Sequence, residues 1–364
     1  MLYAFGSNGS GQLGVGHKND VCDPQAIRLE ACGSDFMIKQ IAAGGNHTLY
    51  LSTDGRVAVA GSNSCGQCGP HAQVCDDATG WSTALPVVLP SQEALGTNES
   101  KPVIIEQVAA TWSASILLTH TGGILVAGEG LSGELGLGHN VGRSTTLQYI
   151  PHFPPECRRV VQITACMAHV IAVLDNGDVY GWGKGSKGQL GDPTGDIWSP
   201  RKIQGITSPA VRAVCGKDFT CLIGDQETGK LTVLGMKTRD RFGLLSGKPA
   251  TVPNWKDIVA SWGSVYIVLQ NGALISFGRN DHGQLGPELP DIKALAAGSE
   301  HCLAISTAGG VLAWGWGEHG NCGEPTDANG DVKARWNEMQ LPNGQKPSAI
   351  AAGCATSFVV SCSE

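Results

Sequence analysis

The nine residues GSNGSGQLG, Gly6 to Gly14, set a pattern that the chain of 364 residues repeats six more times. Each copy reads Gly-x7-Gly, usually with a third glycine at its sixth position. The others are GSNSCGQCG (Gly61 to Gly69), GEGLSGELG (Gly128 to Gly136), GKGSKGQLG (Gly183 to Gly191), GMKTRDRFG (Gly235 to Gly243), GRNDHGQLG (Gly278 to Gly286) and GWGEHGNCG (Gly315 to Gly323). Only the fifth copy lacks the middle glycine, and Asp240 stands there. The repeat explains why 51 of the residues are glycine, about twice ordinary usage.

A second unit alternates with the first, as in IAAGGNHTLYL from Ile41, LAAGSEHCLAI from Leu295 and IAAGCATSFVV from Ile350. It ends in an apolar, β-branched run that reads as a buried strand. A turn glycine follows six residues before the Gly-x7-Gly unit at Gly55, Gly122, Gly177, Gly229, Gly272 and Gly309. Such Asp-Gly, Asn-Gly and Gly-Gly pairs supply the positive φ of tight hairpins. Each repeat therefore predicts strand, hairpin, strand, glycine turn, a short strand at Gln-Leu-Gly, and a variable excursion. Seven such units of about 52 residues suit four-stranded blades and predict an all-β, seven-bladed β-propeller, residues 1–364 forming one domain. The strand at Tyr3-Ala4-Phe5-Gly6 precedes the first complete repeat, and the last repeat stops after Phe358-Val359-Val360. The seventh blade is thus expected to join both ends of the chain and lock the ring. The longest excursion, 70–107, is a long inter-strand insertion and a candidate contact element.

Composition narrows the function. The net charge of −7 disfavours phosphate-backbone binding, so no direct nucleic-acid partner is expected. No apolar run approaches a bilayer span, and the first residues lack a signal-peptide pattern, so no membrane is expected. Thirteen cysteines, an odd number spread along the chain, suit reduced thiols in the cytoplasm or the nucleus.

The candidate chemistries mostly reduce to structure. The Gly181-x-Gly183 and Gly128-x-Gly130 pairs lack the strand–helix context of a dinucleotide fingerprint. Cys65-x2-Cys68 with His71 and Cys75 has zinc-like spacing, but Cys68 and Cys322 occupy the leucine position of sister loops and read as small buried hydrophobes. No metal or cofactor is assigned. His47, His169 and His301 share one repeat position without a nucleophile at fixed offset, which favours an inter-blade structural role over catalysis. The densest aromatic and polar cluster is Trp316, Glu318 and His319, with Asp281 and His282 in the preceding Gly-x7-Gly unit. Trp314 aligns with Phe5, Trp182 and Phe277 as core, whereas Trp316 has no aromatic counterpart. That rim, with Trp112 and Trp262, forms the candidate partner-binding set; for the latter pair, core filling and exposed anchoring stay open.

The pairing of Ala-Ala-Gly-x-x-His-Thr with Trp-Gly-x4-Gly-Gln-Leu-Gly resembles the regulator of chromosome condensation repeat, across essentially the whole chain. YAFGSNGSGQLG from Tyr3, AWGWGEHGNCG from Ala313 and AAGCATSF from Ala351 resemble more narrowly the fungal α-tubulin suppressor propellers. That resemblance implies a non-enzymatic partner of a small CSL-type zinc protein, the electron carrier of diphthamide synthesis on elongation factor 2, in a heterodimer that also serves Elongator-dependent tRNA wobble-uridine modification. The alternative, implied by the wider family resemblance, is guanine-nucleotide exchange on a small Ras-like GTPase. Exchange members of the family can carry acids at the fourth position of the Gly-x7-Gly unit, and here only Asp281 and Glu318 are acidic among seven.

Overall fold

The structure, a computed structural model, describes residues 1–69, 81–90, 103–236 and 239–362. Seven antiparallel sheets follow one another along the chain. Blade 1 runs Ile38–Ala43, His47–Ser52, Val57–Gly61 and Trp81–Pro86 from the inside outward. Blades 2 and 3 repeat it, with inner strands Ile105–Ala110 and Val160–Cys166 and outer strands Arg143–Tyr149 and Ile197–Lys202. Blade 6 spans Ile292–Ala297 to Asp331–Met339. Inner strands of consecutive blades touch in order, and Pro347–Ala352 of blade 7 contacts Ile38–Ala43 of blade 1, which closes the ring.

Closure is built as expected. Blade 7 has the order Pro347–Ala352, Thr356–Ser361, Leu2–Gly6, Val21–Ala26, with Tyr3 opposite Val359 and Gly6 opposite Thr356. Phe358 is fully buried there and meets the Tyr50 ring edge-on at 6.1 Å, so the closing blade is fused to blade 1 by its core.

Two expectations are corrected. The Gln-Leu-Gly segment is a turn, not a strand; its leucine (Leu13, Leu135, Leu190) is buried between blades, and the fourth strand comes from the excursion. Accordingly Trp81–Pro86, inside the 70–107 stretch, is the outer strand of blade 1, while 70–80 and 91–102 lie outside the described residues. Blade 4 (Arg212–Cys215, Phe219–Ile223, Leu231–Gly235) and blade 5 (Trp255–Ala260, Ser264–Leu269, Leu274–Gly278) have three strands, not four, among the described residues. In blade 4, Asp240 accepts from the amides of Leu245 and Ser246 in a helical turn, Leu244–Gly247, that follows the fifth copy, and a Lys230–Thr251 bridge stands at the edge. In blade 5, the join from Gly286 to Ile292 is too short to return along the sheet.

The first glycine of each nine-residue unit has a physical cause. Gly61 has φ +98°, and a Cβ there would sit 2.3 Å from the Asn46 carbonyl; Gly128 meets the Ser113 carbonyl at 2.2 Å in the same way. The chain leaves the third strand in a conformation closed to other residues. Trp182 and Trp314, one residue before their glycines, are fully buried, and their indole N–H groups donate to the Glu134 and Gln284 carbonyls at 2.9 and 3.0 Å. Trp314 is core, as its repeat position implies.

Candidate protein-interaction face

In each blade the second strand starts where the third ends, as His47 pairs with Gly61 and His301 with Gly315. The Gly-x7-Gly loops and the connections leaving the inner strands therefore share one face of the ring. The residues of the candidate partner-binding set, Trp112, Trp262, Asp281, His282, Trp316, Glu318 and His319, all fall on it.

The three repeat-position histidines are buried rivets. Nε2 of His47, His169 and His301 lies 3.1, 3.1 and 3.0 Å from the hydroxyls of Ser115, Thr220 and Ser357 on the next blade. Those hydroxyls donate onward to the carbonyls of Gln67, Gln189 and Asn321, so each imidazole donates through Nε2–H. Their Nδ1 atoms are buried without a partner. Burial lowers each pKa to about 4, because a charged ring would lose its hydration. The ring of His47 also explains the glycine of Ala-Ala-Gly: a Cβ on Gly44 would lie 2.3 Å from the imidazole Cε1. These histidines hold blades together, as their repeat position predicts.

The structure brings together two residues that the sequence separates by 150 positions. Trp112 of blade 2 and Trp262 of blade 5 meet across the channel mouth with ring centroids 6.3 Å apart. Trp112 remains 40% exposed and Trp262 is half-buried. Their main chains are fixed by a relay from blade to blade: Trp112 N donates to Met167 O at 2.7 Å, and Trp262 N donates to Ser299 O at 3.0 Å. Gly45 has no side chain because the Trp112 ring occupies its Cβ position at 2.6 Å. The pair caps a cavity of about 110 Å³ on the propeller axis, into which Cys166, Cys215 and Cys354 also face. Burial raises all three thiols, Cys166 to about 12, so they stay protonated and unreactive. The rings fill the channel mouth, and Trp112 keeps part of its surface open to solvent.

The rim residues also assemble. Trp316 stands between His282, at 6.4 Å, and His319, at 5.3 Å with an edge-on geometry. His282 Nδ1 is 2.8 Å from Asp331, a carboxylate 1% exposed that Lys333 also pairs at 2.6 Å. His319 reaches Asp20 of blade 7 at 2.8 Å, which ties blades 6 and 7. Asp281 pairs with Arg279 at 2.6 Å, and the same guanidinium binds Glu300. Burial raises the Glu300 carboxyl against the attraction of Arg279. Glu318 is exposed at the tip of its loop. The cluster therefore spans blades 5, 6 and 7, wider than the sequence alone places it.

Sequence reasoning missed a set of inter-blade clasps. The side-chain amides of Gln40, Gln107 and Gln162 each donate to an inner-strand carbonyl of the next blade, at 2.8–2.9 Å, and accept from an amide there at 2.8–3.0 Å. The signal was a glutamine immediately before Ile41, Val108 and Ile163, at one fixed place in the second unit. The zinc-like spacing also resolves in part. Cys68 is buried and its thiol donates to the Ser62 carbonyl at 3.2 Å, the leucine-like position expected. His71 and Cys75 lie outside the described residues. No cluster suited to a metal occurs among the described residues, and no helix among them is long and apolar enough to cross a membrane.

The RCC1-like domain model matches residues 1–361. The chain belongs to the RCC1-like domain family. An RCC1 repeat-containing protein of Schizosaccharomyces pombe is 30% identical over 99% of this chain and 98% of its own length. A bovine protein named secretion-regulating guanine nucleotide exchange factor is 31% identical over 97% of this chain and 81% of its own. Among solved structures, Prp20p of Saccharomyces cerevisiae superposes with a TM-score of 0.81 at 21% identity, covering all of this chain and 92% of that one. That likeness concerns the fold.

Proposed function

We propose that this RCC1-like propeller is a non-enzymatic, rigid interaction platform whose partner docks on the face carrying Trp112, Trp262 and the Trp316 rim. The observation that carries the reading is the meeting of Trp112 and Trp262 at the channel mouth, with Trp112 left partly exposed to solvent. Aromatic side chains held rigidly on a face lose little entropy on binding and serve as anchors. Following the narrower resemblance, the partner is the small CSL-type zinc protein that carries electrons for diphthamide synthesis. The heterodimer would serve diphthamide formation and Elongator-dependent tRNA modification in the cytoplasm and the nucleus, without direct contact to nucleic acid. Any zinc would belong to the partner.

Calorimetric titration with the zinc-loaded partner of the same organism tests this. Saturable one-to-one binding that weakens in the Trp112→Ala variant supports it. The absence of binding at about 50 μM, with both proteins folded, overturns it.

A second reading is favoured by the relatives. Mammalian proteins carry the name of a guanine nucleotide exchange factor, and the mouse one is 29% identical over 90% of this chain and 77% of its own length. Release of labelled GDP from a panel of small GTPases, accelerated by this chain, would select it.

A further inference from the structure

We propose that the groove between blades 4 and 5 is a docking site for an acidic segment of a partner protein, with a carboxylate held between Lys217 and Arg241. The groove encloses about 180 Å³ beside Trp262 and opens on the face described above. Phe219 and Met236 form its buried floor, and Trp262 and Phe242 its walls. The Lys217 ammonium rests 5.1 Å above the Trp262 ring, and the guanidinium of Arg241 lies 5.6 Å from the Phe242 ring centre.

The charges there are unevenly answered. Arg279, which also lies over Phe242, is committed to Asp281 and Glu300. Lys217 and Arg241 are exposed, and neither has an ion pair among the described residues. In a chain of net charge −7, two unanswered cations flanking one apolar groove form a local inversion of sign. Each is already stacked on a ring, so little side-chain freedom is lost when an anion arrives.

The lining selects the anion. Glu300 and Asp218 also face the groove, which penalises a dianionic phosphate more than a single carboxylate. The aromatic walls suit the apolar neighbours of an acidic residue in a peptide. The general acidity of the chain would favour a basic partner, so this site adds a second and opposite specificity. The inference shares the interaction face with the platform reading but does not depend on which partner is bound.

The test uses a fluorescein-labelled peptide of alternating Glu and Leu, and the same peptide with Lys for Glu, titrated against the whole chain by anisotropy. The expected result is saturable binding of the Glu peptide alone, weakening about tenfold between low and moderately high salt. It should be lost in Lys217→Glu/Arg241→Glu and retained in Lys39→Glu, a reversal outside the groove. Both altered side chains are exposed, so melting temperatures should match. Equal binding of the Lys peptide, or unchanged binding in the double variant, overturns the proposal. So does displacement of the peptide by millimolar inorganic phosphate but not by acetate, which would mark a phosphate site. If the zinc protein binds while the Glu peptide does not, the groove fails and the platform stands. If the peptide binds while the zinc protein does not, the reverse holds.

Discussion

Acidification probes the inter-blade rivets directly. His47, His169 and His301 are buried, and burial lowers each pKa from 6.5 to about 4. Between those values the unfolded chain binds protons that the folded chain refuses, so stability rises with pH across the window and falls as pH drops from about 7 towards 4. At pH 5 each unfolded histidine is about 97% protonated and each folded one about 10%, a cost near 2 kcal/mol per residue relative to pH 8. Three rivets together lose about 6 kcal/mol, comparable to the whole stability of an ordinary domain. Glu134 and Glu300, whose carboxyls are raised chiefly by burial, act in the opposite sense, since the folded state holds their protons above the ordinary range. They soften the slope without reversing it. The assay is 13C-edited NMR of histidine-labelled protein through a pH series, with thermal melts alongside. Three ring signals should keep the neutral Nε2–H tautomer down to about pH 5 while the melting temperature falls steadily. If no ring signal stays neutral below about pH 6, or if the melting temperature is flat from pH 7.5 to 5, the rivet argument is wrong.

Three further outcomes are expected. Trp316→Ala with Glu318→Ala should weaken the zinc-protein complex about tenfold or more in calorimetry, while the melting temperature moves only a few degrees, since Glu318 is exposed and Trp316 half-buried. Phe358→Ala, which empties the contact between the closing blade and Tyr50, should cost about 3–5 kcal/mol in urea unfolding; a loss under about 1 kcal/mol would contradict the view that this blade locks the ring. Gln107→Ala removes two bonds across the blade 2–3 seam and should cost about 1–3 kcal/mol, with hydrogen exchange accelerated at Ile163, whose amide loses its acceptor.

Both extra features of the interaction face depend on main-chain placement more than on side-chain choice. Trp112 and Trp262 are set at the channel mouth by amide–carbonyl relays between blades. The groove of Lys217 and Arg241 exists because the fifth Gly-x7-Gly copy departs from the pattern. Asp240 accepts from the amides of the helical turn that follows, and the neighbouring Arg241-Phe242 pair lines the groove. The one copy that breaks the repeat is also the one that builds a new surface.

Repetition made the architecture legible from sequence. Seven copies of the glycine unit and the apolar strand fixed the blade number, and the split repeat at the two ends fixed the closure, because hairpins and positive-φ turns are local and depend on residues a few positions apart. The histidines could be read as structural for the same reason, since a shared repeat position implies a shared neighbour on the next blade. The contacts across the ring could not be read so. Trp112 and Trp262 lie on blades 2 and 5, and whether they meet depends on the ring radius and on how far each connection leans over the axis. The Trp316 rim was recognisable as a cluster, yet its ties to Asp331 and Asp20 come from two other segments brought alongside by the sheet register and by closure. Local periodicity determines each blade, while the summed packing of all seven sets the distances across the axis, and only the folded ring decides which side chains meet there.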